Sequence, residues 1–137
     1  MKLLLLIYIY FPLSTVLAQD SLFQFPIKGS NIFIEASDSV INHFHRTAIK
    51  QFESWGYWNI VADQQEANYI LELEVILKGA SVISWGKVKI RGILKSIEGV
   101  HLWTSKDITG ESNGLNGFNP KKRAVRNLIK KEIEPKL

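Results

Sequence analysis

The sequence contains no cysteine. This absence excludes a disulfide scaffold, thiolate-bound zinc or iron–sulfur sites, a cysteine nucleophile and a lipid-modified amino-terminal cysteine. There is also no internal repeat, no Gly-x-Ser-x-Gly elbow and no Asn-x-Ser/Thr glycosylation acceptor. The chain has 137 residues, of which 46% are hydrophobic and 22% are charged. This length and composition are typical of a globular protein of about one domain.

Long hydrophobic runs are confined to the amino terminus, where Leu3–Phe11 is continuously apolar. This run is far shorter than the ~20 residues that a membrane-spanning helix needs, and Pro12 interrupts it. Lys2 before the run and Val16-Leu17-Ala18 after it complete the pattern of a secretory signal peptide over residues 1–18. Cleavage there leaves no transmembrane helix; an uncleaved anchor is the alternative.

The predicted compartment is the bacterial periplasm or the extracellular space. An exported chain without disulfides or a glycosylation acceptor favours bacterial export over eukaryotic secretion. A domain of this size buries about two-thirds of its unfolded surface, so it can form a core without covalent cross-links. The formal charge of +4 falls by one unit on cleavage, because Lys2 is the only charged residue of the signal peptide.

The first part of the exported chain predicts a strand, a helix and a second strand. Residues 19–30 form an irregular lead-in to a single α/β domain over residues 31–137, which opens with a strand at 31–36. Ser37 or Asp38 is expected to cap a helix. The strand at 57–61 follows the helix. The apolar residues of the helix recur at steps of three or four until Gly56 ends it: Ile41, Phe44, Ala48, Phe52 and Trp55.

Two longer segments alternate polar and apolar residues, which is typical of half-buried strands. Their predicted inner faces are Tyr69, Leu71, Leu73, Val75 and Leu77 in residues 69–78, and Val88, Ile90 and Leu94 in residues 87–95. A hairpin centred near Ser81-Val82 would place Glu74 opposite Lys89 and Glu72 opposite Arg91. Burial should set this register, because exposed cross-strand ion pairs add very little stability.

The last third of the chain predicts a short strand, a loop and a helix. Glu98-Gly99 indicates a tight turn into a strand at 100–105, in which either Leu102 or Trp103 faces the core. Residues 107–118 hold three glycines and predict a flexible loop. Asn119 then caps a helix with Pro120 at its first position. Its expected buried residues are Ala124, Val125, Leu128, Ile129 and Ile133.

These elements predict an α+β fold with the order β-α-β-β-β-α, to which the short strand at 100–105 adds one more β before the last helix. Each helix has one apolar stripe, and each long strand has one apolar face. A two-layer sandwich, with both helices on one face of a mixed sheet, buries all of these surfaces together.

Two segments resemble a pattern found in small exported bacterial proteins, most of them uncharacterised. They are Phe52–Leu71, with its Trp-Gly helix end and its Ala67-Asn68-Tyr69 strand start, and Ser96–Trp103, a turn with glycine leading into a strand that ends in Trp. The α/β arrangement of residues 31–133 is similar to the amino-terminal domain of the Tol–Pal translocation protein and to the curli secretion lipoprotein. The resemblance implies an envelope binding or assembly domain without enzymatic activity.

The residues that most often carry catalysis or bind metals are poorly arranged for either. His43 and His45 diverge by about 200° on a helix, which does not suit chelation. Glu72 and Glu74 share a strand face, but opposing cations make them solvated ion pairs. We therefore predict no catalytic residues, no metal site and no cofactor.

Two groups of residues are candidates for binding. The glycine-rich loop leads into a cluster of cations that could attract an anion, namely Lys121, Lys122, Arg123 and Arg126. The aromatic residues Trp58, Trp85 and Trp103 are candidates for contact with a partner, because tryptophan is enriched in binding interfaces.

The sequence thus predicts a non-enzymatic module of the bacterial envelope that binds a protein partner or a cell-wall component through these tryptophans. The alternative is an anion- or polyanion-binding protein that uses the basic carboxy-terminal helix. Nucleic acid is not expected as a partner. The identity of the ligand and the oligomeric state stay open.

Overall fold

The computed structural model describes residues 23–36, 38, 41, 43–76, 86–111 and 119–137. Within these ranges the strands are β1 (Asn31–Ala36), β2 (Asn59–Val61), β3 (Tyr69–Val75), β4 (Lys87–Ser96), β5 (His101–Thr104) and β6 (Ile108–Glu111). The helices are α1 (Phe44–Trp55) and α2 (Pro120–Leu128). A π-helical turn (Ile129–Ile133) continues α2, and 3₁₀ turns occupy Gln64–Glu66 and Glu134–Lys136.

The described strands form one mixed sheet in the order β2-β1-β3-β4-β5. β1 is parallel to both β2 and β3, whereas β4 is antiparallel to β3, β5 and β6. β5 and β6 lie along successive parts of the same side of β4. Between them the hydroxyl of Ser105 accepts from the amide of Gly92 at 2.9 Å, so the pairing continues across the break.

The core lies between one face of this sheet and the two helices. Ile34, Leu71 and Leu94 are register partners on neighbouring strands and are almost fully buried. Phe44, Ala48 and Phe52 of α1 belong to the same cluster, as do the predicted apolar residues of α2 and its π turn. The α+β sandwich, with a mixed sheet and its helices on one face, is confirmed. The observed order β-α-β-β-β-β-β-α has more strands between the helices than the predicted β-α-β-β-β-α.

The hairpin of β3 and β4 has a different register from the predicted one. Glu74 lies opposite Arg91, and Glu72 lies opposite Ile93. The shift is two residues, which returns every side chain to the same face because strand residues alternate with a period of two. The hydrophobic pattern therefore permits both registers. In the observed one Gly92 pairs with Leu73, and Leu128 packs over the glycine, where a larger side chain would meet the leucine methyl groups.

The helix α1 begins later than predicted. Its first residue is Phe44, and the preceding His43 has a left-handed backbone with φ of 59° and no side-chain cap. Asp38 still stabilises the first turn, because its Oδ1 accepts from the amide of His45 at 2.7 Å. Ser37 lies outside the described residues. At the other end Gly56 adopts φ of 71° and ends the helix as predicted.

Part of the segment predicted as a loop is the strand β6. Its Gly110 lies against the first turns of α2, where a methyl group added at its Cα would stand 2.1 Å from the carbonyl oxygen of Pro120. Only glycine permits this approach, so the residue that suggests flexibility in the sequence is a packing residue in the fold. The remainder of the predicted loop, residues 112–118, lies outside the described residues.

Candidate functional site

The first candidate partner-binding residue, Trp58, is part of the core. Its side chain is 3% exposed, and its indole Nε1 donates to the carbonyl oxygen of Pro26 at 3.1 Å. The ring stacks on Phe52 and Phe25 at centroid distances of 5.9 and 6.3 Å. Trp58 is therefore not on the surface, where the predicted contact with a partner would require it, because the lead-in segment packs over the ring.

Trp103 is neither fully buried nor fully exposed. It lies opposite Leu94 on the helix-facing side of the sheet, which answers whether it or Leu102 faces the core. The ring is half-buried and meets the edge of Phe25 at a centroid distance of 5.0 Å. Trp85, the third predicted contact residue, lies outside the described residues.

A different tryptophan, Trp55, lines a groove on the surface. The end of α1 places it beside the carboxy-terminal turns, where its Nε1 donates to Oε1 of Glu134 at 3.0 Å. Its ring is fixed by Tyr57, stacked at 5.2 Å, and by edge contact with Trp58 at the same centroid distance. Sequence reasoning assigned Trp55 to the buried helix stripe. No local signal pairs it with a glutamate 79 residues away.

The predicted anion-binding cations lie on one helix but do not form one site. Asn119 caps α2 by accepting from the amide of Lys122 at 3.0 Å, as predicted. Arg123 turns toward β6 and donates through Nη1 to the carbonyl oxygen of Glu111 at 2.8 Å. Arg126 instead lines the groove beside Trp55. Lys121 is half-buried near the start of the helix.

Most of the exposed cations of α2 and its π turn have no counter-ion among the described residues. In the parts of the chain that the structure describes, no carboxylate lies within 4.0 Å of the charged nitrogens of Lys122, Arg126, Lys130 or Lys131. Lys122, Arg126 and Lys130 follow one another at steps of four, which aligns them along one side of the helix. We call these three residues the basic stripe.

The interhelical groove lies between α1 and the continuation of α2. Its volume is about 230 Å³. It is lined by Gln51, Ser54, Trp55, Arg126, Ile129, Lys130 and Glu134. Two cations of the basic stripe thus reach a concave surface that also offers an aromatic ring, a carboxylate and two neutral polar groups.

A second, more open depression lies between β6 and α2, with a volume of about 590 Å³. Its walls carry Asp107, Ile108, Thr109, Glu111, Arg123, Asn127 and Lys131. Several of the polar groups here are engaged within the fold. Arg123 bonds to Glu111, Asn127 Nδ2 donates to the carbonyl oxygen of Thr109 at 3.0 Å, and Asp107 holds Arg91 at 2.8 Å.

The opposite face of the sheet carries a row of ion pairs. Glu74 and Asp107 both flank Arg91, and Lys95 pairs with Glu72. The hydrogen bond from Lys95 to Glu72 raises the pKa of the lysine above its ordinary value of 10.5, against the opposing effect of burial. Glu72 and Glu74 are therefore engaged in ion pairs, as expected, but the partner of Glu74 is Arg91 rather than Lys89 and that of Glu72 is Lys95 rather than Arg91.

The histidines occupy separate positions. The ring of His45 meets the carbonyl oxygen of Ile34 at 3.0 Å, while His43 is exposed at the start of α1. His101 contacts the hydroxyl of Thr104. Among the described residues no group of three or more His, Asp or Glu side chains is arranged to hold a metal ion. In the same part of the chain, no helix is long and apolar enough to cross a membrane.

No family model matches this sequence, and no curated protein matches it. Among solved structures it is similar to a PelC dodecamer from Paraburkholderia phytofirmans, with a TM-score of 0.53 and 14% identity over 76% of this chain and 88% of that one. Uncharacterised lipoprotein B from Nitrosomonas europaea has a TM-score of 0.48 and 11% identity over 77% of this chain and 82% of that one. Lipoprotein GNA1162 from Neisseria meningitidis has a TM-score of 0.41 and 13% identity over 64% of this chain and 84% of that one. At these identities the PelC likeness establishes a shared fold.

Proposed function

We propose that this chain is a non-enzymatic module of the bacterial envelope that binds an anionic polymer through the basic stripe of α2 and its π turn. The observation that carries the proposal is the set of exposed cations that have no counter-ion within the described parts of the chain. A paired cation must lose its partner before it binds a ligand, whereas Lys122, Arg126 and Lys130 are available at no such cost.

The envelope location is supported by the signal-peptide pattern of residues 1–18, while the PelC likeness contributes a shared fold alone. The finer likeness to the Tol–Pal translocation protein and the curli secretion lipoprotein stays a prediction. The tryptophan-based partner site predicted from the sequence is less favoured, since Trp58 is buried and Trp103 packs against the core. The basic helix, which is the alternative binding surface predicted from the sequence, is therefore preferred.

The experiment is a titration of the purified protein with inorganic polyphosphate at stepped NaCl concentrations. Affinity should fall steeply with salt, because each neutralised phosphate releases a counter-ion. The double variant Lys122→Glu/Arg126→Glu should bind at least about tenfold more weakly than the wild type and show a shallower dependence on salt.

The matched control is Lys28→Glu/Arg46→Glu, which makes the same change in net charge at two exposed cations away from α2. It should retain most of the affinity if the stripe is the binding surface. Equal weakening by the control, or binding that does not depend on salt, would contradict the proposal. Absence of wild-type binding at low salt would refute it outright.

A second candidate function is self-association, which the exposed apolar residues at one end of the sheet favour. Ile97 and Val100 flank the turn between β4 and β5 and are 50% and 59% exposed, and Ile27 beside the start of β1 is 64% exposed. The similar PelC structure is a dodecamer. Ile97→Ser/Val100→Ser should lower the molar mass measured by light scattering if this end forms the interface. A wild-type monomer at high concentration would exclude self-association.

A further inference from the structure

The interhelical groove has the composition of a ligand subsite rather than of a gap in packing. Its floor includes Ile129, which is 4% exposed, and its rim carries charged and neutral polar groups. Binding pockets typically combine an apolar and aromatic lining with a few convergent polar groups. The π-helical turn that begins at Ile129 forms one wall, and such turns occur frequently at functional sites.

The size of the groove indicates a single ring-sized unit. Pockets for drug-sized ligands have volumes of ~300–1,000 Å³, and this groove has about 230 Å³. Because it is open to solvent, one unit of a longer chain can occupy it while the neighbouring units continue along the basic stripe. The groove therefore has room for one repeat of a polymer.

The aromatic wall is already fixed in position. Trp55 is held by its hydrogen bond to Glu134 and by ring contacts with Tyr57 and Trp58. A flat, amphipathic ring that is held in this way loses little conformational entropy on binding. It suits a ligand with C–H groups on one face and hydroxyl groups at its edge, which is the geometry of a pyranose.

The charges of the groove suit an acidic sugar. Arg126 can form two parallel hydrogen bonds with a carboxylate, and Lys130, four residues later, adds a second positive charge. Gln51 and Ser54 offer neutral donors and acceptors for hydroxyl groups. Glu134 uses Oε1 for the indole of Trp55, which leaves its other carboxylate oxygen to accept from a ligand hydroxyl.

We propose that the interhelical groove binds one uronic acid residue of an acidic polysaccharide. This inference rests on the proposed function and names the class of polymer. It assigns recognition of the carboxylate to Arg126 and Lys130 and stacking of the sugar ring to Trp55.

The test is calorimetric titration of the full protein with trigalacturonic acid, with its fully methyl-esterified form and with inorganic polyphosphate. The esterified sugar keeps the ring and hydroxyl groups but lacks the carboxylate charge. Trigalacturonic acid should bind at least about tenfold more tightly than the ester. Arg126→Gln and Lys130→Gln should each remove most of this preference, whereas Lys28→Gln, an exposed cation in the lead-in, should keep it.

Binding of polyphosphate without a preference for the acidic over the esterified sugar would overturn the inference and leave the proposed function standing. Failure of all three probes would overturn both. If Trp55→Leu remains folded, as judged by its circular dichroism, unchanged affinity of that variant for trigalacturonic acid would also contradict the stacking role. If Trp55→Leu unfolds, the groove is tested with Arg126→Gln instead, because the side chain of Arg126 is exposed.

Discussion

Replacing Gly110 with alanine should destabilise the fold strongly, although alanine usually favours folding over glycine. Gly110 lies in the strand β6, which alanine can adopt, so packing alone decides the outcome. The added methyl group would stand 2.1 Å from the carbonyl oxygen of Pro120 and 2.2 Å from the amide nitrogen of Ala124. Ordinary contact begins near 3.4 Å, so β6 and α2 must separate by more than 1 Å.

The magnitude follows from two opposing effects. Overpacking typically costs ~1–3 kcal/mol, and here both obstructing atoms belong to a helix backbone that cannot rotate away, so we expect the upper end. The lower conformational entropy of the unfolded chain returns only ~0.4–1 kcal/mol. The net loss is about 2–3 kcal/mol, a large share of the ~5–15 kcal/mol that stabilises a domain.

Urea unfolding followed by circular dichroism measures this change. The midpoint should fall in Gly110→Ala without a change in the slope. Gly92→Ala is the matched control, because its methyl group would meet the flexible end of the Leu128 side chain at 3.2 Å, and it should lose less than about 1 kcal/mol. Equal stability of the two variants would refute the packing argument.

Two further predictions concern buried and paired groups. Trp58→Phe should lower the free energy of unfolding by about 2–4 kcal/mol, because it opens space in the core and leaves the carbonyl oxygen of Pro26 without its donor; a loss below about 1 kcal/mol in urea unfolding would contradict this. The raised pKa of Lys95 predicts stability that is fully present below pH 10.5 and declines as the pH rises through the higher folded-state value. Glu72→Gln should weaken this alkaline decline, which is measured as the change in the unfolding midpoint between about pH 9 and 12. If the midpoint of the variant falls with pH as much as that of the wild type, the pair of Lys95 and Glu72 is not the cause of the decline.

The sequence was informative wherever a feature depends on near neighbours along the chain. Apolar spacing of three or four located the face of α1, and Gly56 marked its end because a left-handed residue stops a helix. Asn119 and Pro120 marked the start of α2 for similar reasons. The alternating residues of β3 and β4 indicated their inner faces, and these faces together required a two-layer fold.

The candidate site was only partly visible in the sequence. The cations of α2 were found because charges repeated at helical spacing define an exposed face. The division of these cations was not visible: Arg123 turns toward β6, and Arg126 joins Trp55 in the groove. Tryptophan was an ambiguous signal because the same side chain can serve as core or as interface, and burial depends on what packs over it.

The sequence by itself determined most of the elements, their inner faces and the basic surface of the last helix, because each of these is a pattern within one segment. Only the tertiary structure decided the register of β3 and β4, the burial of Trp58, the strand at Gly110 and the meeting of Trp55 with Glu134. The physical reason is common to all four. Each depends on a contact between segments distant in the chain, and its free energy is set by packing that no local pattern records.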